Sequence, residues 1–257
     1  MNILALKLIL APIIIGSASL AGRRWGPAIS GWIVGLPLTS GPVIFFLAIS
    51  HDIPFAANAI RGTLSGGFSL IAFCLVHAWL ATKFDWGITT LGSLTVFAIL
   101  TTTLQDLTLP LPLLFILVLF TILAGALLMP KQKSDKVSAS TLSRWDIPAR
   151  ILVGTSFILF VTGIAPIIGP KLTGLLTTFP LFASILAIFS QRQQGADGAI
   201  HVLRGLVYGL FAFAGFYLVL GLLIERIGLG GAFGLAILSA LLIQGTSLII
   251  LRKLHLQ

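Results

Sequence analysis

GPAISGWIVGLPL, Gly26 to Leu38, recurs 143 residues further on as GPKLTGLLTTFPL, Gly169 to Leu181, in a register without gaps. Gly26, Pro27, Gly31, Pro37 and Leu38 meet Gly169, Pro170, Gly174, Pro180 and Leu181. Further along the same register Arg61, Gly62 and Gly66 meet Arg204, Gly205 and Gly209, Phe73 meets Phe216, Gly87 meets Gly230, and Lys7 meets Arg150. Leucine on leucine would mean little in so apolar a chain. Glycine, proline and arginine coinciding at one shift mark an internal repeat.

The repeat sits in a membrane composition. Of 257 residues, 57% are hydrophobic and only 9% charged, against about 25% charged in a soluble domain. Nearly every window of roughly 20 residues is apolar enough to span a bilayer. The net charge is +9 with a sequence pI near 10.5. In a soluble chain that balance would suggest nucleic acid; here the positive-inside rule accounts for it, and no nucleic-acid partner is expected. Cys74, the single cysteine, lies in an apolar run and reads as a small apolar residue. Ser19-Leu20-Ala21 resembles a signal-peptidase site, but Arg23-Arg24 follow the apolar run instead of preceding it, and the run has a counterpart in the second repeat.

Apolar runs between charges give about nine transmembrane helices, at 4–22, 27–50, 57–82, 87–105, 109–129, 147–167, 170–190, 197–224 and 229–251. The expected fold is therefore an all-α polytopic membrane protein forming one membrane domain. Repeat one covers 4–105, a linker helix 109–129, a polar basic linker 130–146, and repeat two 147–251. Gln105-Asp106 and Leu109-Pro110-Leu111-Pro112 favour a turn, so 87–129 is read as crossing twice. Five crossings then separate equivalent positions. Five is odd, which inverts one repeat relative to the other, as in many secondary transporters. On this topology Lys7, Arg61, Lys171 and Arg226 lie on one side and the other 12 of the 16 lysines and arginines on the opposite side. The rule places the N-terminus outside and the C-terminus in the cytoplasm.

Pro37 and Pro180 fall near the middle of their helices. Proline removes a backbone donor and pushes away the carbonyl four residues earlier. In lipid the freed groups must find partners. Gly35, Thr39 and Ser40 in the first copy, and Thr177, Thr178 and Ser184 in the second, are placed to line the break. A single such break is commonly a packing kink. Its recurrence at the same depth in both repeats points to a substrate site near the midplane. A half-helix starting after the break would turn its positive end to an anion.

Arg61 and Arg204 each precede a G-x-x-x-G, whose glycines admit a neighbouring helix. At the bilayer centre an arginine costs about 2.5–3.5 kcal/mol on insertion scales, and far less at a helix end from which it snorkels. Beside the anchor reading stands an anion-binding role at each entrance to a central cavity. Asn58 and His201 lie three residues earlier, on the same helical face. The seven acids fall in loops or at helix ends, and His77, deep in its helix, is not repeated: Leu220 takes its place. His77 reads as a packed, hydrogen-bonded residue. The sequence holds no pattern for a metal, a cofactor or a catalytic residue, and Gly228 to Gly231 reads as a helix-start turn, so the chain is not expected to be an enzyme.

GLLTTFPLFASILAIFSQRQQGADGAIHVLRG, Gly174 to Gly205, resembles the GlpM-type inner-membrane proteins, which look like one four-helix unit. Gly22 to Pro42 resembles a larger group of uncharacterised bacterial membrane proteins. This chain then looks like two such units fused around a linker helix. Leu36 departs from the pattern, standing where the unit has phenylalanine before its proline. The resemblance implies a multi-pass protein of the bacterial cytoplasmic membrane, with a loose link to envelope polysaccharide production.

Two functions from different classes follow. The first is a small secondary transporter or lipid flippase for an anionic, phosphate-bearing metabolite or lipid headgroup. The second is a non-transporting scaffold for an envelope or polysaccharide assembly complex, docking partner helices on the G-x-x-x-G faces. Membrane lipids are partners in either case, and an oligomer is compatible with both.

Overall fold

The computed structural model describes residues 3–25, 36–131 and 146–253. These residues form helices and no strand: α1 (Ile3–Trp25), α2 (Ser40–Ser50), α3 (Ile53–Ala81), α4 (Trp86–Leu104), α5 (Leu111–Leu128), α6 (Asp146–Leu176) and α7 (Leu181–Lys253). Five of them, α3 to α7, are long and apolar enough to cross a membrane.

The described residues do not give the nine separate helices expected: they form seven elements, because α6 and α7 pass the sites read as loops with only a glycine kink in place of a loop. Straight, the 73 residues of α7 would reach about 110 Å. They do not run straight. Gly195 and Gly228 carry φ of 69° and 76°, and Gly169 in α6 carries 77°, all with ψ near 180°. That backbone region is open essentially to glycine alone. Beyond Gly228 the chain packs back on itself, with Gly215 against Ser239 and Ile243.

The repeat register explains where these bends fall. Gly195 and Gly228 stand at the positions of Asp52 and Asp85. In the first copy those aspartates end the preceding helix and cap the next. Asp52 accepts from the Phe55 N–H at 2.6 Å, and Asp85 from the N–H groups of Gly87 and Ile88 at 3.0 Å each. One copy reverses the chain with a capping carboxylate, the other with a single glycine.

Contacts fix the directions. Lys7 donates to the Thr162 hydroxyl at 3.0 Å, and Ile15 and Ile151 reach Gly154 and Gly16, so α1 and α6 run antiparallel. Leu80 reaches Gly92 and His77 meets Ser93, so α4 runs against α3. Gly67 meets Val118, Ile71 meets Gly125, and the Trp79 indole donates to the Leu128 carbonyl at 2.9 Å, so α5 runs with α3. The 87–129 stretch is thus two helices of opposite direction joined by a turn at 105–110, as its prolines implied.

α3 is the spine. It packs on α4, α5, α6 and α7 and carries the fully buried Ala59, Ile60, Leu64, Phe73 and Cys74. Its small residues admit other helices to backbone contact. A Cβ on Gly62 would collide with the Lys171 carbonyl, and one on Gly174 with the carbonyl of Ala59. The outward faces of α4 and α5 carry Leu91, Phe120 and Leu127, each at least 70% exposed, as lipid-facing surfaces do.

Candidate functional site

Both proline breaks are present. After Pro37 the backbone turns at Leu38 and Thr39, and helix starts at Ser40; after Leu176 it leaves the helix and restarts at Leu181. The two copies share the same local bonds. The Leu38 N–H reaches the Leu36 carbonyl and the Leu181 N–H the Phe179 carbonyl, each at 2.7 Å. Four residues past each proline carbonyl, the N–H groups of Gly41 and Ser184 donate to Pro37 and Pro180, at 2.9 and 2.7 Å. Proline favours this arrangement: it has no N–H to donate back into the preceding turn, and its carbonyl accepts the first bond of the next helix.

The breaks face each other. Leu36, Thr39 and Ser40 from the first and Thr177 to Ala183 from the second line one cavity of about 50 Å³, closed off by Leu70, Leu206, Leu210 and Phe213. That is room for a few waters. Its depth follows from α3. Gly66 touches Thr178 and Leu70 lines the cavity, at the middle of a helix spanning 53–81. The first turns of α2 and of α7 both start at the cavity, and such turns leave N–H groups without intrahelical partners.

Hydroxyls satisfy the other side of the break. Thr177 donates to the Gly174 carbonyl at 2.6 Å, Thr178 to Leu175 at 2.7 Å, and Ser184 to Pro180 at 2.6 Å. Thr63 on α3 bonds Thr177 at 3.1 Å, tying the two copies together. Thr39 makes no capping bond, and Ser40 faces the buried Tyr217 hydroxyl without a well-formed hydrogen bond. Of the residues singled out from sequence, Thr39, Ser40, Thr177, Thr178 and Pro180 line the cavity, Pro37 opens the α2 side, and Ser184 lies buried one turn on. Gly35 lies outside the described residues.

Asn58 and Arg61 belong to a second cavity, of about 630 Å³, at the end of the bundle where α3 begins. Lys171 joins them there, with Leu107 to Pro110 of the α4–α5 turn. Contact of the Gly62 backbone with Lys171 is what sets the two cations at one mouth. Two cations and no carboxylate line it. Residue spacing alone had not paired Lys171 with Arg61, because the pairing depends on a contact between repeats. The two cavities share no lining residue, and the Thr63–Thr177 bond and the Gly174 contact lie between them on α3.

Arg204 is placed differently from Arg61. It is half-buried, and its Nη2 donates to the Pro130 carbonyl at 2.8 Å, just past the end of α5. His201 sits one turn earlier, also half-buried. Neither lines the central cavity.

At the opposite end from Arg61, a buried polar cluster joins the repeats. His77 Nδ1 lies 3.1 Å from the Ser93 hydroxyl. Gln191 Nε2 donates to the Phe84 carbonyl at 3.0 Å and approaches Thr89 Oγ1 at 3.5 Å. His77, Ser93 and Thr89 are fully buried. His77 is hydrogen-bonded and packed, as its isolation in sequence implied. Gln191 was not singled out; it sits at what read as a helix end. No family model, curated protein or solved structure matches the chain, so what the site does is read from its own residues.

Proposed function

We propose that this chain is a small secondary transporter or lipid flippase with inverted repeats, moving an anionic substrate, a phosphate-bearing metabolite or lipid headgroup, across the cytoplasmic membrane. One observation carries the reading: the breaks at Pro37 and Pro180, equivalent in the repeat, make the same backbone turn, and Leu36, Thr39 and Ser40 beside one and Thr177 to Ala183 beside the other line one mid-depth cavity. Two helix starts of opposite direction meet there, and their partial positive charges suit an anion.

Further features support it. α1 and α6, equivalent under the 143-residue shift, pack antiparallel, which is the relation of inverted repeats. The vestibule of Arg61 and Lys171 offers an anion a basic entrance on one side. On the other side the His77–Ser93 and Gln191–Phe84 bonds tie α3, α4 and α7 together. In the described conformation the Thr63–Thr177 bond and the Gly174 contact close the cavity off from the Arg61 vestibule, and the Gln191 cluster closes the other end, so it is read as an occluded state. Opening at one end and then at the other would carry the substrate across. The charge bias puts the Arg61 end outside and both the basic linker and the C-terminus in the cytoplasm.

The test needs no substrate. In a Cys74→Ala background, Ser40→Cys and Thr178→Cys are exposed separately to a small impermeant thiol reagent from each side of sealed vesicles. A carrier exposes the cavity to both sides in turn, so both cysteines react from either side. A scaffold has no reason to do so. Reaction from neither side, or from one side only, refutes alternating access.

A further inference from the structure

The repeats diverge sharply beside their breaks. Beside the break of repeat two, Phe97 of α4, from repeat one, packs edge-to-face on Phe179 with ring centroids 5.7 Å apart, and Phe157 lies 6.0 Å from Phe179. The 143-residue shift puts Ala240, Ile14 and Leu36 at those three positions. All three smaller residues line an apolar groove of about 410 Å³ between α1, α2 and the last stretch of α7. What three rings fill beside one break stands open beside the other.

The groove's chemistry is uniform. Among the described residues its lining carries no charged or hydroxyl side chain, and Phe45, Phe216 and Phe233 form one wall. Ile237 and Leu241, at its rim, are 50% and 56% exposed. In a membrane those residues face lipid tails, so the groove opens sideways into hydrocarbon. A cavity of about 150 Å³ with such walls takes one benzene ring, so 410 Å³ takes nearly three times as much. Packing does not require the opening, because the equivalent place beside the break of repeat two is closed by phenylalanine. Leu36 also lines the polar cavity, where Thr39 and Ser40 follow it directly.

We propose that this groove holds one hydrocarbon chain of an anionic membrane lipid, whose headgroup reaches past Leu36 to Thr39 and Ser40. The inference rests on the carrier reading and narrows its substrate from anions in general to a lipid. The equivalent place beside the break of repeat two is filled by Phe97, Phe157 and Phe179, so each turnover takes one lipid, always at the break of repeat one.

The probe is phosphatidylglycerol with a diazirine on one acyl chain, in phosphatidylcholine vesicles containing the protein. Mass spectrometry maps the cross-links. The expected label concentrates on Leu10, Phe45 and Ile237, above that on Phe120 and Leu127 of the lipid-facing surface, and unlabelled phosphatidylglycerol competes it away. Ala240→Phe with Leu36→Phe, which copies the plug of repeat two, should lower groove label about tenfold, the effect of denying the chain roughly two methylenes. Label no denser in the groove than on Phe120, or not displaced by competitor in the unaltered protein, overturns the proposal even if the plugged variant fails to fold. If the cysteines react from both sides while cross-links stay diffuse, the lipid inference fails and a carrier of soluble anions stands. If cross-links concentrate in the groove but the cysteines react from one side only, the chain site stands and the carrier reading fails.

Discussion

Gly174→Ala should destabilise the bundle through a single methyl group. A Cβ at that position would overlap the Ala59 carbonyl oxygen and lie 2.8 Å from both Ala59 C and Thr63 N. All three are backbone atoms of α3, which cannot rotate away as a side chain can. α3 and the end of α6 must separate, at the upper part of the about 1–3 kcal/mol range for overpacking. Separation also breaks the 3.1 Å Thr63–Thr177 bond, worth about 0.6 kcal/mol between membrane helices. Alanine returns up to about 1 kcal/mol of helix propensity. The net cost is about 2 kcal/mol, or a fall in Tm of about 4–8 °C for a chain of this size. Cys74 provides the assay. It is free and fully buried, so a thiol-reactive dye in detergent micelles reports its exposure as the bundle opens. Gly163→Ala is the control, an exposed helical glycine whose Cβ meets nothing within 4 Å, and it should hold or raise Tm. If Gly174→Ala melts within about 1 °C of the parent, the backbone contact of α3 with α6 is not there and the cavity's far wall is misplaced.

Gly228→Ala should cost about 1–3 kcal/mol through strain alone, since its Cβ meets no atom within 4 Å but its φ is 76°, while Gly230→Ala, equally unhindered, is neutral; the same dye melt separates them. Gln191→Leu removes the shorter of two side-chain donors to the Phe84 carbonyl, leaving Thr89 at 3.5 Å, and should cost about 1 kcal/mol, again read as Tm. In a Cys74→Ala background, Thr108→Cys in the vestibule should react faster with an anionic than with a cationic thiosulfonate. Arg61→Gln with Lys171→Gln should lower that rate ratio by about tenfold, the low end of electrostatic focusing in a cleft, with Tm unchanged. An unchanged ratio removes the anion entrance. Cysteines at Asp106 and Lys83 should label from opposite sides of the membrane, and Lys131 from the Lys83 side; any other pattern contradicts the helix directions.

Pro37 and Pro180 were legible in sequence because proline acts locally, through the N–H it lacks. The repeat was legible because glycine, proline and arginine resist chance coincidence. The loops after 167, 190 and 224 were not, since charge and polarity were read as helix ends, whereas glutamine, arginine and alanine in QRQQGAD are good helix formers. One glycine of non-helical φ and ψ at each site turns the chain with no loop between the helical stretches, so no polar loop marks the boundary. The pairing of Arg61 with Lys171 depends on a contact between repeats, and no linear spacing encodes it. The groove did leave a trace. Leu36 stands out in sequence as a departure from the pattern, but its meaning needed Ile14 and Ala240 beside it.

On the proposed repeat boundaries α5 belongs to neither repeat, and the antiparallel meeting of α1 with α6 then depends on it. A chain crossing a membrane alternates its sense at every pass. Two four-helix units joined end to end would enter the bilayer with the same polarity, and Lys7 could not face Thr162 head to tail. One extra pass changes the parity. Its buried Leu114, Val118 and Ile122 also pack it into the core, with Val118 against Gly67 of the spine. A separate half-length protein of this design would have to insert in both senses to build the same pair. On that proposal the single chain carries its own inversion.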